Sequence, residues 1–555
     1  MHSYRRNVAA ALLIAGHFAL GYWAVRSNSA TYDEPMHVSV SYSGWKTKDY
    51  RLVSDQPALA TAILTLPLHW REFNLPLETK EWRESFFVAF SERFVYWSGN
   101  DAIRLIETPR LVNLALSCLC ALILWGFLTA SFGTFPGLIG LAFYAFSPAV
   151  LANATLATTD FPATAFAVLA VLSMSRYLET PNRPGFALGA GVAAACALLS
   201  KNTAVLLWPA FALALIARRD DWRRLLSSAR DIFLWSFLPF VAIMLLASFT
   251  GFFFIDGFTA QALQATAVGH PSFLMGRYSA HGWWWFYLAA FALKSTLPEI
   301  AALVGGMFIV LRGGRAKNCV LPVAVIAAYA AVASLSHKQI GLRYILPVYP
   351  MLAILAAAMA QDLSLRFPKR GGLLAVALAA SHALSAAAIA PHFLAYFNEA
   401  AGGPEQGYRY QVDSSLDWGQ DLKRLGRYVR EEGGPEIILS YFGTASAEYH
   451  GVQAQQLMST NAIHRRHMNS DRPTKELLVV SATQLQGPYL EPERRLTWLK
   501  DRKPLARVGY TLFVYDVTRD AGVHRRLDAV FGSLGDSLLA EHALTRARII
   551  EGSGR

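Results

Sequence analysis

The sequence predicts a mainly helical, polytopic membrane bundle that carries a small α/β domain at its C-terminal end. Three observations lead to this fold class. Hydrophobic residues make up 54% of the 555 residues and charged residues only 16%, against about 25% in ordinary soluble domains. Long apolar runs recur, for example over residues 7–25 and 136–152. Beyond residue 392 the pattern changes to helices that alternate with short strands, which is typical of a small α/β module.

The membrane part is predicted to hold about eleven transmembrane helices, because a spanning helix needs about 20 apolar residues. The predicted spans are 7–25, 110–130, 136–153, 161–179, 185–200, 203–217, 231–252, 284–311, 318–336, 344–361 and 371–391. We expect the span 284–311 to break near Pro298. The first span could also be a signal peptide, because Arg5 and Arg6 precede it. Its apolar stretch is long for a signal core, which favours an uncleaved helix.

The distribution of positive charge predicts the orientation of these spans. The net charge is +12, and the excess lies before residue 392, with 30 Lys/Arg and 19 Asp/Glu, against 21 and 20 afterwards. Charge spread over loops between apolar spans does not suit a nucleic-acid binder, which clusters it on one soluble face. Most Lys/Arg of the short loops would lie inside if the N-terminus is cytoplasmic. The first loop (26–108), the 253–283 loop and the tail would then face outward, as in a protein of the bacterial inner membrane.

The tail is predicted to be a separate outer domain. Residues 1–391 would form the transmembrane domain and residues 392–555 the α/β domain. The segments 437–441, 476–481 and 510–517 are predicted to be strands, and 416–432 and 525–548 to be helices. The four cysteines lie in or beside apolar runs without metal-ligand spacing, so the sequence predicts neither a zinc finger nor a structural disulfide.

Charged residues within or beside membrane spans are costly and therefore mark candidate functional sites. Several gather on the predicted outer side, although they are far apart in the sequence. They are Asp33, Glu34, His37, Arg110, Asp160, Lys201, Lys338 and Arg343. Each also has a structural interpretation, such as a helix cap for Asp160 or a lysine that extends to the membrane interface for Lys201. Their presence on one membrane face favours a shared functional site.

Such a set suits displacement of a phosphate-linked leaving group. Lys and Arg stabilise the charge that develops on the departing phosphate, and one carboxylate suffices as base for an attacking hydroxyl. A glycoside hydrolase needs two carboxylates on either side of the bond. The side chains of the neighbouring Asp33 and Glu34 generally point apart, so they are not an obvious pair of that kind.

At these residues the sequence resembles the bacterial members of glycosyltransferase family 39, which are related to protein O-mannosyltransferases and the lipid A aminoarabinose transferase. The resemblance covers the chain to about residue 430. Its matching stretches are YDEPMH, TPRLVN, LATTDFPATAF, LSKNTAVLL, GRYSAHGWWWFYLAAFALKSTLPE, IGLRYILPVYP and PHFLAYFNEAAGGPEQGYRYQVDSSLDWGQDLKRL. It implies the GT-C membrane fold and a polyprenyl-phosphate-linked sugar as donor. It also implies transfer to an acceptor hydroxyl on the outer face, with inversion at the anomeric carbon.

The resemblance also implies roles for individual residues. Asp33 matches the catalytic aspartate of the first loop, and Glu34 completes this acidic pair. Asp160 matches a second acidic motif on the acceptor side. The family often has His-Pro-Pro-Leu in the first loop, where this chain reads Asp55-Gln56-Pro57-Ala58. The donor-phosphate contacts are expected to be Lys201, Arg343, Arg110 and, from its position, Lys338. The expected substrate contacts are His37, His281, Asn398 and Glu399.

The stretch VDSSLDWGQDL (412–422) has two interpretations. Its three aspartates could bind an ion or an acceptor, or they could cap a helix while Trp418 packs the outer domain onto the membrane body. No cofactor is required by this chemistry, although carboxylates and histidines could collect a divalent cation.

The sequence leaves several functions open. The acceptor could be a protein, a lipid or a glycan. The alternatives to a glycosyltransferase are a lipid-linked-sugar flippase, a non-catalytic envelope assembly protein and an enzyme that transfers a phosphate-bearing group. A flippase would show inverted repeats, and the sequence has none that we detect.

Overall fold

The structure is a computed structural model, and it describes residues 2–52, 57–181, 183–217, 222–249, 255–312, 317–461, 463 and 467–553. The end of the predicted span 231–252, loop residues 218–221 and the first-loop residues Asp55 and Gln56 lie outside the described residues.

The described part of the chain holds seven to nine candidate membrane spans. Seven helices are long and apolar enough to cross a membrane, and two bent helix pairs bring the number up to nine. The seven are Asn7–Ser27, Ala102–Phe132, Asp160–Glu179, Leu226–Phe249, Lys317–Leu335, Val348–Arg366 and Gly371–Ile389. The bent pairs are Thr134–Ala145 with Pro148–Ala154 and Phe286–Lys294 with Leu297–Leu311. The chain is therefore an integral, multi-pass membrane protein, and the predicted fold class is confirmed.

The predicted number of eleven spans is not confirmed, because two of the predicted segments form short helices. The helices Pro184–Leu198 and Asn202–Ala217 are each 10–17 residues long, shorter than the about 20 residues that a spanning helix needs. Lys201 separates them in an extended conformation with φ −158° and ψ 132°. The predicted break near Pro298 lies at Ser295, where the helix axis turns by 118°. A capping box of Thr296 and Glu299 starts the next helix, and Pro298 lies in its first turn.

The first helix (His2–Ser27) is packed into the bundle by a buried polar contact. The His17 ring is fully buried, and its two nitrogens contact the Ala145 carbonyl oxygen at 2.7 Å and Ser117 Oγ at 2.9 Å. A buried polar group needs such partners, so this helix is fitted to its neighbours in the bundle.

The first loop is folded rather than extended. Its helical elements are Glu34–Thr47, Leu59–Thr65, Leu66–Trp70, Lys80–Arg83, Phe87–Glu92 and Arg93–Trp97. Tyr42, Phe90 and Phe94 of this loop share one hydrophobic cluster with Ile437 and Tyr441 of the C-terminal domain. The first loop and the α/β domain therefore have a common core. Later in the chain, β1 (Ser272–Leu274) pairs with β2 (Arg277–Ser279) in an antiparallel hairpin.

The C-terminal domain contains a five-stranded mixed sheet. Its strands are β3 (Glu436–Tyr441), β4 (Ala454–Ser459), β5 (Glu476–Ser481), β6 (Ala506–Val508) and β7 (Leu512–Asp516). The order is β4-β3-β5-β7-β6, with β3 parallel to β4 and β5, and β7 antiparallel to β5 and β6. The sheet is packed on both faces, as the two hydrophobic clusters along β3 indicate.

Helices Leu422–Glu431, Ala482–Gln486, Ala521–Ser533 and Ser537–Ser553 complete the domain. The three predicted strands are present, whereas β4 and β6 were not predicted. The helix predicted over 525–548 is two helices, interrupted where Gly535 takes φ +78°. The helix predicted from residue 416 begins at Leu422, because the preceding residues form tight turns with Asp413 at φ +56° and Gly419 at φ +92°.

Candidate active site

Four charged side chains from four separate segments meet at the end of the bundle that carries the first loop and the C-terminal domain. Arg343 Nη1 donates to Asp33 Oδ2 at 2.8 Å and lies 3.7 Å from Asp160 Oδ2. Lys201 Nζ donates to Asp160 Oδ1. Asp160 is fully buried, whereas the Asp33 side chain keeps 23% of its surface. Two carboxylates and two cations thus form one alternating ionic cluster, with Asp33 at its accessible edge.

Local structure explains how each of these residues reaches the cluster. Asp33 directly precedes the helix Glu34–Thr47, and Asp160 is the first residue of its helix. A carboxylate is stabilised at such a helix start by the unsatisfied N–H groups. Lys201 occupies the extended break between two short helices, and Arg343 lies in the 3₁₀ turn Leu342–Ile345. Each residue therefore sits where a helix begins or is interrupted.

The cluster faces a cavity of about 590 Å³ between the first loop and the bundle, which we call the loop cavity. Asp33, Lys201 and Arg343 line it together with His37, His270 and Lys338. Its remaining wall is largely apolar and aromatic. That wall includes Met36, Val40, Trp45, Tyr50, Ala62, Leu66 and Phe87. The cavity thus joins a cationic end to an apolar wall.

A second cavity of about 660 Å³ adjoins the first and lies against the C-terminal domain; we call it the sheet-edge cavity. The two cavities share Asp33, His270, Ile340 and Arg343. Its other lining residues include Tyr32, Asp413, Trp418, Phe442, Gln456, Gln484 and Tyr489. Asp33 and Arg343 therefore stand at a junction that two bound molecules could reach from opposite sides.

Glu34 and Arg110 form a buried ion pair that lines neither of these two cavities. Arg110 donates to Glu34 through Nε at 2.7 Å and Nη2 at 2.6 Å. It also donates to the carbonyl oxygens of Val25, Asn28 and Ser29. Burial opposes the charge of Glu34, but Arg110 and nearby backbone N–H groups hold its pKa below the ordinary value. This pair fixes the start of the first loop. The Glu34 carboxylate points to Arg110, whereas Asp33 contacts Arg343.

Lys338 and His37 lie on the loop cavity. Lys338 Nζ donates to Gln261 Oε1 at 3.0 Å and Gln264 Oε1 at 2.7 Å. Burial lowers the pKa of His37, although Asp33 and Asp160 oppose this shift. His37 is therefore mainly neutral at pH 7 and can accept or donate a hydrogen bond.

The structure does not bring His281, Asn398 and Glu399 to the ionic cluster. His281 is exposed, with its ring beside that of His337. Asn398 is buried, and its amide donates to the carbonyl oxygens of Ala292 and Ser295 at the bend of the broken span. Glu399 is exposed and accepts a hydrogen bond from Ser385.

Two site residues, His270 and Tyr489, were not singled out by the sequence. His270 lines both cavities, and Tyr489 donates a hydrogen bond to Asp413. Burial lowers the pKa of His270 and raises that of Asp413. Trp418 is buried, with its ring 4.1 Å from the Arg343 guanidinium carbon. The stretch VDSSLDWGQDL carried the only usable signal for this part, and it did not distinguish an ion site from a packing motif.

No group of three His, Cys, Asp or Glu side chains with the spacing of a metal site occurs among the residues that the structure describes. Asp33 and Asp160 instead have cationic partners. These cations balance the charge of the two carboxylates. That the chemistry requires no metal ion stays a prediction from the sequence.

Comparison with known proteins gives one family match. Residues 105–250 match the family described as dolichyl-phosphate-mannose-protein mannosyltransferase. A search of curated proteins found no match. Among solved structures, ArnT from Cupriavidus metallidurans bound to undecaprenyl phosphate is 13% identical, with a TM-score of 0.48 over 91% of this chain and 97% of that chain. AglB from Archaeoglobus fulgidus, in complex with an inhibitory peptide and a dolichol-phosphate, is 11% identical, with a TM-score of 0.39 over 78% and 58%.

The matched segment contains three of the stretches on which the sequence resemblance rests, namely TPRLVN, LATTDFPATAF and LSKNTAVLL. It also contributes Asp160 and Lys201 to the ionic cluster. The predicted resemblance to the family of protein mannosyltransferases is thereby confirmed over residues 105–250.

Proposed function

We propose that this protein is a membrane glycosyltransferase that moves a sugar from a polyprenyl-phosphate donor to an acceptor hydroxyl. The observation that carries this proposal is that Asp33 and Arg343 stand where two cavities meet. One cavity presents cations beside an apolar wall, and the other extends away from them. A transferase has to hold a donor and an acceptor on opposite sides of the reacting carbon, and this arrangement supplies both sides.

The loop cavity suits a lipid phosphate. Lys201, Lys338 and Arg343 provide cationic groups, and the guanidinium Nε of Arg343 is buried without a hydrogen-bond partner among the described residues. A buried donor of this kind is costly to leave unsatisfied, and a phosphate oxygen would satisfy it. Met36, Val40 and Leu66 provide apolar surface for the first isoprene units. Asp160 contacts both Lys201 and Arg343, which gives it a positioning role.

Asp33 is the residue best placed to activate the acceptor. Its Oδ2 accepts from Arg343, and its Oδ1 has no hydrogen-bond partner among the described residues. In the proposed reaction the acceptor hydroxyl gives its proton to this carboxylate while its oxygen attacks the anomeric carbon. The bond from that carbon to the phosphate oxygen breaks, and the phosphate leaves with the electron pair. A single displacement inverts the anomeric centre, and the cations stabilise the leaving phosphate.

A transfer assay tests this proposal. Purified protein in liposomes receives radiolabelled polyprenyl-phosphate sugars, with a membrane extract as acceptor pool. We expect wild type to move label from lipid to acceptor and Asp33→Asn to be at least about 100-fold slower. Asp501→Asn is the matched control, because Asp501 is exposed in the outer domain, away from both cavities.

Two outcomes would contradict the proposal. If the Asp33→Asn variant retains wild-type turnover, Asp33 is not the base in the reaction. Folded wild-type protein that consumes none of the donors would favour a flippase or an assembly protein. The mass of the product separates transfer of a sugar from transfer of a phosphate-bearing group, since only the latter adds phosphate to the acceptor.

A further inference from the structure

The sheet-edge cavity lies where an open α/β sheet normally binds ligands. Phe442, Thr460 and Gln484 follow the C-terminal ends of the parallel strands β3, β4 and β5, and all three line the cavity. From β3 the chain passes to β4 on one side of the sheet, and from β5 it passes towards β7 on the other. The crevice between β3 and β5 is thus a topological switch point, the position at which such sheets bind ligands.

The cavity wall contains polar groups that have no hydrogen-bond partner in the described part of the chain. Gln484 is only 5% exposed, and its amide makes no hydrogen bond to any residue that the structure describes. The amide oxygen of Gln456 and the Nε of Arg494 are buried and equally lack partners there. Buried polar groups normally form hydrogen bonds, so these three groups are available to a molecule bound in the cavity.

The chemistry of these groups favours hydroxyls. A glutamine amide both donates and accepts, as a hydroxyl group does. Three aspartates, Asp33, Asp413 and Asp536, line the cavity against two arginines, Arg343 and Arg494, so the wall carries no excess of positive charge that would select an anionic molecule. The wall therefore suits a neutral compound with several hydroxyl groups.

A row of aromatic rings accompanies these amides. The rings of Tyr32 and Phe442 stack at 5.3 Å between centroids, and those of Phe442 and Tyr489 at 5.6 Å. A sugar ring has C–H groups on its faces and hydroxyls at its rim, so aromatic surface beside amides suits both parts. The row begins at Tyr32, which directly precedes Asp33.

We propose that the sheet-edge cavity is the acceptor site and that the acceptor presents a neutral carbohydrate there. This inference rests on the proposed function, because it assigns the second substrate of the same centre. Gln456 and Gln484 would hold the sugar hydroxyls, and the aromatic row would support the ring face. One acceptor hydroxyl would then reach Asp33 at the junction of the cavities.

Binding to the full-length protein in detergent, without donor, tests the inference. The probes are maltohexaose, cellohexaose and chitohexaose, with a serine-rich peptide of similar mass for comparison, and the measurement is ligand-observed NMR titration. We expect at least one oligosaccharide to bind. The double variant Gln456→Ala/Gln484→Ala should weaken its affinity about tenfold or more, because two hydrogen bonds are lost. Gln453→Ala is the matched control, because Gln453 is exposed and lies outside the cavity.

Three results would overturn the inference. They are no binding of any oligosaccharide, binding of the peptide in place of the oligosaccharides, and wild-type affinity in the double variant. Because the two amides make no hydrogen bonds to any residue that the structure describes, the double variant should keep the wild-type Tm, which separates lost binding from lost folding.

A parallel titration of wild type with undecaprenyl phosphate distinguishes the two proposals. If wild type does not bind undecaprenyl phosphate but still binds the oligosaccharide, the proposed donor is wrong and the proposed carbohydrate site is retained. In the transfer assay, the double variant should raise the acceptor KM and leave the donor KM unchanged.

Discussion

Replacing Glu34 with glutamine separates the roles of two acids that are neighbours in the sequence. The Glu34 carboxylate accepts five hydrogen bonds, two from Arg110, two from Thr31 and one from the Ala157 N–H. The side chains of Glu34 and Arg110 are 0% and 1% exposed. Glu34→Gln keeps the shape of the side chain but leaves the Arg110 guanidinium buried without a counter-charge.

The expected loss of stability follows from this burial. Breaking a buried ion pair by removing one partner costs about 3–5 kcal/mol, because the remaining charge is left uncompensated. The glutamine NH₂ would also face N–H donors where the carboxylate accepted them, which places the loss in the upper part of this range. Asp33 is partly exposed, and its partner Arg343 retains Asp160 nearby, so Asp33→Asn should change the free energy of unfolding by only about 1 kcal/mol.

Differential scanning fluorimetry of both variants in one detergent, combined with the transfer assay below each Tm, checks this contrast. We expect Glu34→Gln to lower the Tm clearly while the folded fraction retains turnover within about tenfold of wild type. Asp33→Asn should keep its Tm and lose turnover. A Glu34→Gln variant with wild-type Tm and no turnover would refute the reasoning, because Glu34 would then act on the substrate.

Two further predictions concern stability. Burial raises the pKa of Asp417 to about 7, so the folded state binds this proton more tightly than the unfolded chain does. The contribution of Asp417 to stability should therefore fall as pH rises from about 4 to 7, by about 4 kcal/mol at most, so the Tm of Asp417→Asn relative to wild type should rise over this range; a difference in Tm that does not depend on pH would contradict this. In Gly191→Ala the new Cβ would lie 2.2 Å from the Ser236 carbonyl oxygen, which predicts a loss of about 1–3 kcal/mol in thermal unfolding. Gly189→Ala on the same helix, whose nearest contact would be Ser173 at 3.5 Å, should be neutral; equal losses would exclude the Ser236 contact as the cause.

The sequence predicted which charged residues are unusual but could not sort them. Asp33 and Glu34 carried the same signal, because both are acids just beyond the first apolar span. The distinction depends on the orientation of two adjacent side chains, since Glu34 points to Arg110 in the bundle and Asp33 points to Arg343. Arg110 and Arg343 likewise had equal standing as phosphate ligands until packing separated a fully buried arginine from one on a cavity wall. His270 carried no signal, because a single histidine in a loop has no pattern.

The fold could be predicted where apolar length or strand composition was strong. The long spans and strands β3 and β5 are rich in Leu, Ile and Val, so their burial is visible in the sequence. Strand β4 has the sequence AQQLMS, which lacks β-branched residues, and it forms only because β3 pairs with it. The two short helices around Lys201 are a different case. Their apolar residues predicted spans, and this prediction is not confirmed because each helix has fewer than about 20 residues.

The C-terminal domain is separate along the chain but not at the site. The Tyr32 N–H donates to the Trp418 carbonyl oxygen at 2.9 Å, and Thr444 Oγ1 donates to the Tyr32 carbonyl oxygen at 2.7 Å. The residue before Asp33 is therefore held by two segments of the C-terminal domain, while Asp33 itself contacts Arg343 of the membrane body. Because a displacement near 1 Å can slow an oriented reaction about 100-fold, we expect the C-terminal domain to control the position of this carboxylate, in addition to the acceptor role proposed for its cavity. The candidate site thus depends on both the membrane domain and the C-terminal domain. The boundary near residue 392 separates two regions of the fold, but residues from both regions hold Asp33 in place.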